Sequence, residues 1–498
     1  LRRGDHSYKF GSDVQFVKDY RATTPRLAYT FANIDAYLAA KSGASPFGYS
    51  TFLQFLGPTN FDMNSKLFSL FVQDDWRLTP TIKMLYGVRY DTYAYPAGDP
   101  SAPFSYSRSY ARDKNNIGPR LGVAWSLNNK TVLRASTGIM FDQPLLAAYE
   151  NAVQLNGVRT YTVSLSPTSA GAPAYPNTLS GASGITLPTQ SISTVDPAFQ
   201  TMRTFQNNVQ IDRSFGPNYS ASAGFVYVRG SHLPVITNIN LINPIGTLAD
   251  GRPIYSTAVS ATTRMDPRFN QINTVQSIGD SSYKGLTLQF TRRYSHGLQF
   301  DLAYTWAKGE DNAPLTSTLS VQGDDGRSDP SSLDRDRGPN IMDTRHSFAG
   351  SIVASPEWKG DSELLNRLLN NNQIGVMLLL NSGLPQNLRS NRDLNGDGIL
   401  ADRPLNVTRN SVYLPARYNV DVRYSRLIPV SGARKAEVLV EVKNLFNTQQ
   451  TSAVARVTTT DTLGVPASAI PADGSAFPIA GRGGYEARQL QIGFKFRF

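Results

Sequence analysis

Acidic and amide side chains close to residue 400 have the spacing of a calcium-binding loop. The candidate ligands, at positions 1, 3, 5 and 10 of such a loop, are Asp393, Asn395, Asp397 and Asp402. Gly398 stands at position 6, where calcium loops turn sharply, but position 12 is Pro404 instead of the usual bidentate glutamate. The spacing therefore predicts a weak Ca²⁺ site, and the alternative is a surface turn rich in Asn, Gly and Asp.

Two other acidic segments contain residue types that are common in binding sites. The stretch 323–338 is rich in Asp and Arg and could gate a ligand or bind cations, but the favoured interpretation is a solvated loop whose internal ion pairs contribute little. Asp74 and Asp75 alternate across a predicted strand, so they cannot form a carboxylate pair that shares a proton. Asp74 falls on the apolar side near a strand end, where a charge costs little, and Trp76 suits an aromatic girdle at a membrane interface.

No residue pattern typical of an enzyme occurs in the sequence. The motifs HExxH and GxSxG and the phosphate-binding glycine loop are absent, and the histidines are scattered, at His6, His232, His296 and His346. The chain has no cysteine, which excludes a disulfide framework, cysteine-ligated zinc, iron–sulfur clusters and thiol catalysis. We therefore expect no catalytic residues and no cofactor besides weakly bound Ca²⁺. A hydrolase assembled from distant Ser, His and Asp is the alternative, because such sites are recognised in space.

The net charge is +11, which would suit anionic lipopolysaccharide or acidic ligands. Lys and Arg form no blocks and are not interleaved with aromatic residues, so nucleic-acid binding is not expected.

Alternation of apolar and polar residues with a period of two recurs along the chain in segments of roughly 9 to 15 residues. The last segment shows it most clearly, with one apolar face formed by Leu490, Ile492, Phe494, Phe496 and Phe498. The opposite face carries Gln491, Lys495 and Arg497. In a soluble sandwich the apolar face would meet a second sheet, whereas in a membrane barrel it meets lipid and the polar face lines the lumen.

About sixteen segments have this alternation or a weaker form of it. The clear ones are 8–16, 82–90, 121–127, 205–215, 219–227, 286–290, 298–306, 418–424, 438–446 and 490–498. The weaker ones are 26–32, 48–57, 64–78, 130–141, 343–355 and 372–382. No apolar run is long enough for a spanning helix, so a membrane-spanning structure must be a closed barrel. The predicted fold is all-β, an antiparallel transmembrane β-barrel.

Short and long connections alternate between the predicted strands. Tight turns at 78–81, 127–130, 215–218, 294–297 and 429–433 are separated by loops at 96–114, 142–200, 231–280, 310–341, 383–412 and 447–483. Outer-membrane barrels have short periplasmic turns and long extracellular loops, so this parity places Phe498, and with an even strand count Leu1, at the periplasmic rim. Two predicted periplasmic connections, 33–48 and 355–371, are long, and leucines in the second predict a short amphipathic helix.

Several short motifs, in order along the chain, resemble the barrel of TonB-dependent outer-membrane receptors. They are LFVQDDWRLTP at 70–80, GPRLGVAW at 118–125, YTWAKGEDN at 304–312, DTRHSF at 343–348, VKNLFN at 442–447 and the terminal phenylalanine. Together they resemble the Oar-like branch, whose members carry a carboxypeptidase-regulatory-like domain before the plug. The resemblance covers nearly the whole chain.

Members of that family have a barrel of 22 strands around an N-terminal plug, with a box that engages TonB. The resemblance therefore implies that residues 1–498 are the C-terminal portion of such a barrel, about 16 strands of 22, with no plug domain. The remaining strands, the plug and the box are expected upstream of Leu1, where no signal peptide is seen. An incomplete sheet leaves two unpaired edges in lipid, so this portion is not expected to insert alone.

The resemblance also implies a function, which is uptake or export of a large substrate across the bacterial outer membrane with TonB-coupled energy. The expected partners are outer-membrane lipid and lipopolysaccharide, the barrel-assembly machinery, and the TonB–ExbB–ExbD complex through the absent N-terminal region. The long aromatic-rich loops, such as 149–175, would capture the ligand. The alternatives are a passive porin, which requires a complete barrel and a constricting loop, and a surface adhesion or structural barrel.

Overall fold

The computed structural model describes residues 1–22, 26–58, 60–143, 146–314, 326–400, 402–431, 434–454, 457–458, 479–482 and 487–497, and its main element is one large sheet. Fourteen long strands form it: β1 (His6–Val17), β2 (Ser65–Arg77), β3 (Ile82–Ala94), β4 (Asn116–Asn128), β5 (Thr131–Phe141), β6 (Arg203–Phe215), β7 (Tyr219–Asn238), β8 (Phe269–Ser295), β9 (Leu298–Asp311), β10 (His346–Ala354), β11 (Asn372–Asn381), β12 (Arg417–Ser431), β13 (Arg434–Lys443) and β14 (Gln489–Arg497). Three short strands extend it: Arg2–Arg3, Gln190–Val195 and Gly338–Pro339. The predicted all-β fold class is confirmed.

Each long strand pairs antiparallel with the next one along the chain, so the sheet is a meander. Within the described residues, β14 pairs only with β13, and the other edge of β1 carries only Arg2–Arg3. The sheet is therefore open at both edges in this part of the chain.

The two faces of the sheet differ in polarity because successive side chains point to opposite sides. On β14 the predicted apolar residues share one exposed face, with exposed fractions of 65% for Leu490, 71% for Ile492, 67% for Phe494 and 40% for Phe496. Phe498 lies outside the described residues. On the neighbouring β13, Val440 stands opposite Ile492 and continues this surface, which we call the apolar face.

The meander has fourteen strands because two of the weaker candidates, 26–32 and 48–57, do not join it. They form Leu27–Thr30 and Thr51–Leu56, which make a separate small sheet with Tyr161–Leu165. Phe52 is fully buried in this small sheet, so its apolar side packs within the protein. A period of two predicts a strand but does not identify what covers its apolar side.

All connections at one end of the meander are shorter than all connections at the other end. At one end, the turn end, they are 78–81, 129–130, 216–218, 296–297, 355–371 and 432–433. At the other, the loop end, they are 18–64, 95–115, 142–202, 239–268, 312–345, 382–416 and 444–488. The prediction that 33–48 lies at the turn end is wrong, because 18–64 is a single connection at the loop end. The even number of strands places both Leu1 and the end of β14 at the turn end.

The predicted loop 231–280 is shorter than expected. Strand β7 continues to Asn238 and β8 begins at Phe269, so the two strands project as a paired ribbon beyond the rest of the sheet. Gln190–Val195 adds to this ribbon in parallel, along the N-terminal part of β8.

The described residues contain three α-helices, all of them short. They are α1 (Ile34–Lys41), α2 (Ala147–Gln154) and α3 (Glu363–Leu369), and single 3₁₀ turns occur at Ser105–Ser107 and Leu333–Asp336. The amphipathic helix predicted in 355–371 is confirmed as α3. Among the described residues, no helix has the length and apolar character needed to cross a bilayer.

Candidate functional site

The described residues of six connections at the loop end, 18–64, 95–115, 142–202, 239–268, 312–345 and 382–416, pack into a layer beyond the strands, which we call the loop layer. One of its cores surrounds Tyr149 on α2, whose side chain is 1% exposed. The ring of Tyr149 lies 4.7 Å from that of Tyr95, 5.4 Å from that of Tyr110 and 6.2 Å from that of Phe199, measured between centroids. This core joins connection 95–115 to connection 142–202.

A second aromatic core joins connection 18–64 to a different part of 142–202. The rings of Tyr29 and Phe52 lie 4.8 Å apart, and Tyr49 packs against both residues. The hydroxyl of Tyr49 donates to the carbonyl of Pro173 at 3.0 Å, and the hydroxyl of Tyr29 donates to the carbonyl of Asn177 at 2.6 Å. Burial, with the neighbouring tyrosines, raises the pKa of Tyr29 to about 12. Tyr149, the first residue of the stretch 149–175 that was predicted to capture ligand, is therefore part of a buried core of the loop layer.

Buried charged side chains link three further connections, and we call them the ionic cluster. The members are Arg252, Arg327, Asp336, Asp402 and Arg403, each at most 5% exposed. Arg403 donates to Asp336 at 2.8 Å, and Arg252 donates to Asp402 at 2.8 Å. Arg252 also donates to the backbone carbonyl of Arg403 at 2.8 Å, which joins the two pairs. Connections 239–268, 312–345 and 382–416 are therefore held together by charge-assisted hydrogen bonds.

A neighbouring pair extends this arrangement to the sheet. Arg409, 2% exposed, donates to the carboxylate of Asp311 at the end of β9 and to the backbone carbonyl of Asp336 at 3.2 Å. The loop layer is thereby anchored to a strand of the sheet as well as to itself.

The ionic cluster contradicts the interpretation of 323–338 as a solvated loop with weak internal ion pairs. Arg327 and Asp336 are buried, and Asp336 is bonded across the layer to Arg403. The error arose because the partner is 67 residues away along the chain. Neither Arg252 nor Arg403 was predicted, since an isolated arginine in a loop has no spacing pattern that would reveal its partner.

The predicted calcium ligands adjoin the ionic cluster. Asp393 uses both carboxylate oxygens within the loop, accepting from the backbone N–H of Gly396 at 2.7 Å and of Gly398 at 2.8 Å. Asp397 accepts from the N–H of Ile399 at 2.7 Å, and Asn395 donates to the carbonyl of Ser328 at 3.2 Å. These are the bonds of an Asx-rich turn, which a cation would have to replace in part.

Two of these carboxyls lie in a strongly desolvated environment. Burial raises the pKa of Asp397 to about 8, and the nearby Asp402 and Asp393 add to the rise. Burial also raises the pKa of Asp402 to about 6, although the Arg252 guanidinium opposes the shift. Burial and the mutual repulsion of these carboxylates therefore both disfavour their ionised forms.

Ca²⁺ binding stays a prediction. Among the described residues, no group of three or more His, Cys, Asp or Glu side chains has an arrangement that could hold a metal ion. A weak site predicts a dissociation constant of about 10⁻⁴ to 10⁻³ M in a calorimetric titration of Ca²⁺ into the full-length protein, and Asp393→Asn should abolish it. Absence of binding at about millimolar Ca²⁺ would contradict the prediction.

At the turn end, Asp74 lies on the apolar face as predicted, but its carboxylate has polar partners there. Its Oδ2 accepts from the hydroxyl of Tyr86 at 2.8 Å and lies 2.6 Å from Nδ1 of His6. The His6 ring stacks against Trp76, with centroids 5.2 Å apart. A neighbouring strand on each side thus provides a polar partner for the carboxylate, which the sequence pattern did not reveal.

We expect Asp74→Ala to lower the thermal unfolding temperature of the full-length protein more than Asp75→Ala does. The first change leaves His6 and Tyr86 without their carboxylate partner on the apolar face, whereas Asp75 forms an ion pair with the more exposed Lys83. The measurement is the temperature at which the barrel loses its β-sheet circular dichroism in detergent. Equal shifts for the two variants would show that the His6–Asp74–Tyr86 contact is energetically unimportant.

The comparisons with known proteins agree with this architecture. A family model described as an outer membrane beta barrel domain matches residues 1–408. The fold is similar to that of the outer membrane transporter YddB from Escherichia coli, with a TM-score of 0.55, 12% identity, and coverage of 100% of this chain and 52% of that one. It is also similar to the FrpB iron transporter from Neisseria meningitidis (F3-3 variant), with a TM-score of 0.50, 13% identity, and coverage of 99% and 52%.

The chain spans about half the length of these solved structures. No curated protein matches it. At 12 and 13% identity, the structural similarity establishes the fold alone.

Proposed function

The chain belongs to the outer membrane beta barrel domain family, and on that basis we propose that it is the barrel portion of a receptor and transporter of the bacterial outer membrane, coupled to inner-membrane energy through TonB. The loop end is then extracellular and the turn end periplasmic. Residues 1–498 contribute strands and loops, and the plug and TonB box belong to the rest of the protein.

The observation that carries the proposal is the loop layer. Its connections pack against one another through two aromatic cores and the ionic cluster. They therefore form a rigid surface above the sheet instead of independent flexible loops. Recognition surfaces are commonly built from loops held on a rigid scaffold. We infer that the exposed side of this layer binds the ligand. The buried tyrosines and arginines stabilise the conformation of that surface.

Transport, as opposed to adhesion, is supported by the names of the similar structures, both of which are called transporters. Coupling to TonB, and membership of the Oar-like branch, rest on the motif resemblance of segments such as 70–80 and 304–312. A passive porin is the rival, and it requires a closed barrel. An unpaired edge in lipid costs several kcal/mol for each unsatisfied backbone group, so a receptor and a porin alike must close their barrels, and the presence of a plug and binding to TonB distinguish them.

The test uses the full-length protein, purified from the outer membrane and reconstituted into phospholipid vesicles. A plugged receptor should not admit arabinose in a swelling assay, and it should be retained by the immobilised periplasmic domain of TonB. Swelling without retention would overturn the proposal in favour of a passive porin. Absence of both swelling and retention would overturn it in favour of an adhesion or structural barrel.

The proposed lipid partner has a candidate contact on the apolar face. A recess of about 380 Å³ is lined there by the apolar side chains of Phe225, Leu286 and Trp306 and by the cationic side chains of Lys284, Lys308 and Arg345. Lys284 stands directly opposite Lys308 on the adjacent strand, and the ammonium of Lys308 also lies 2.6 Å from the carboxylate of Glu310, so Lys284 is the cation of this pair that an added anion would chiefly neutralise. Both lysines are about ten residues from the turn end, the length of a membrane-spanning strand. We infer that lipid A phosphates of lipopolysaccharide bind at this extracellular margin of the membrane.

Replacing both lysines, as Lys284→Gln with Lys308→Gln, should lower the amount of lipid A that copurifies with the full-length protein several-fold. The physical reason is the loss of two cations that face the phosphate level of the outer leaflet. Mass spectrometry of lipid A per mole of protein measures it. Lys130→Gln, in a tight turn at the periplasmic side, is the matched control, and an equal lipid A content in all three proteins would contradict the assignment.

A further inference from the structure

The short helix α3 at the turn end presents leucine side chains to its surroundings. Its four leucines have exposed fractions of 67% for Leu364, 46% for Leu365, 49% for Leu368 and 43% for Leu369. Positions i, i+1, i+4 and i+5 lie on one side of a helix, so these residues form a continuous apolar stripe. A stripe this exposed needs a partner or an apolar environment.

The opposite side of α3 is polar and fixed in place. Asn366 accepts from the backbone N–H of Gly360 at 3.0 Å and donates to the carbonyl of Gly360 at 2.7 Å. Asn370 makes the same reciprocal pair with Trp358, at 2.6 and 2.9 Å. These four hydrogen bonds orient the helix, so the leucines point away from the segment that precedes it.

The C-terminal end of α3 is held against the apolar face of the sheet. Arg426 on β12 donates to the carbonyls of Arg367 at 2.8 Å and Leu368 at 2.9 Å. In the register of β11 and β12, Asn372 stands opposite Arg426, and the next pair on the same face is Ile374 with Tyr424. The helix therefore adjoins the margin of the apolar surface.

We propose that α3 is an interfacial helix whose leucine side is embedded in the periplasmic leaflet of the outer membrane. The partner is the phospholipid surface itself, because the leucine stripe continues the apolar face that already meets lipid. Helices of this kind lie in the interface with the apolar side in the acyl region and the polar side in water.

A residue next to the leucine stripe is also of a type found at membrane interfaces. Trp358, 51% exposed, is the type of side chain enriched at membrane interfaces. The segment 355–371 carries three acidic and two basic residues, and Arg367 forms an ion pair with Glu363, so the proposed contact depends on the leucines and not on attraction between charges. A protein partner would have to cover the leucines and also displace the lipid adjoining Ile374, which stands 44% exposed on the same surface.

The test places a single nitroxide label on the full-length protein in vesicles of phosphatidylethanolamine and phosphatidylglycerol. Residues 1–498 contain no cysteine, so once any cysteine elsewhere in the full-length protein is replaced by serine, Leu365→Cys and Leu368→Cys provide single labelling sites, and Arg367→Cys on the polar side is the matched control. We expect labels at Leu365 and Leu368 to collide with oxygen several-fold more, and with a water-soluble nickel chelate several-fold less, than the label at Arg367.

Two other outcomes would each overturn the proposal. High collision with the nickel chelate at all three positions would place α3 in water. Low collision with both oxygen and nickel at the leucine positions would show that protein covers the stripe. Neither outcome depends on whether the protein transports a ligand or binds TonB.

Discussion

Replacing Asp336 with alanine is expected to destabilise the loop layer by about 3–5 kcal/mol, the cost of removing one partner from a buried ion pair. The Asp336 side chain is fully buried, and its carboxylate accepts from Arg403 at 2.8 Å and lies 3.6 Å from Nε of Arg327. In Asp336→Ala both guanidinium groups remain buried without this carboxylate. The free energy of local opening, measured by hydrogen exchange of backbone amides in 326–345 and 384–400, reports the loss.

Two controls separate this effect from general damage. Glu363→Ala removes a carboxylate from the highly exposed ion pair with Arg367 on α3, and it should change the stability by no more than about 0.5 kcal/mol. In the double variant Asp336→Ala with Arg403→Ala, the loss should be smaller than the sum of the two single losses, because the residues are in direct contact. A loss below about 1 kcal/mol for Asp336→Ala alone would mean that water solvates the ionic cluster.

The main sheet could be predicted from sequence because its information is local. The period-two pattern on β14, from Leu490 to Phe496, and on β9, from Leu298 to Trp306, depends only on neighbours along the chain. The loop-length parity then gave the direction of each strand without any knowledge of its partners. All fourteen strands of the meander are among the sixteen predicted segments.

The loop layer could not be predicted in the same way, because its contacts join residues that are far apart in sequence. Arg252 bonds to Asp402 across 150 residues, and Tyr49 bonds to Pro173 across 124. An Asp/Arg-rich stretch such as 323–338 has the same composition whether it is solvated or buried. The segment 48–57 shows the complementary difficulty, since alternation marks it as a strand but does not distinguish lipid from a neighbouring loop as its cover.

Tyr149→Ala is expected to destabilise the first aromatic core of the loop layer by about 3–5 kcal/mol, the range for removing a large aromatic side chain from a packed core. Tyr149 is 1% exposed and contacts the rings of Tyr95, Tyr110 and Phe199. Its loss would leave a cavity between connections 95–115 and 142–202. Tyr149→Phe keeps the ring and should retain most of the stability, which makes it the matched control.

The same pair of variants tests whether the layer must be rigid for recognition. If the buried core shapes the extracellular surface, Tyr149→Ala should increase amide hydrogen exchange in both connections and the rate at which protease cleaves them in intact cells, while Tyr149→Phe leaves both rates close to those of the native protein. The ionic cluster lies in other connections, so exchange in 384–400 should stay unchanged in either variant. Accelerated exchange in 384–400 as well would show instead that the aromatic cores and the ionic cluster unfold as one unit, and the loop layer would then act as a single body above the barrel.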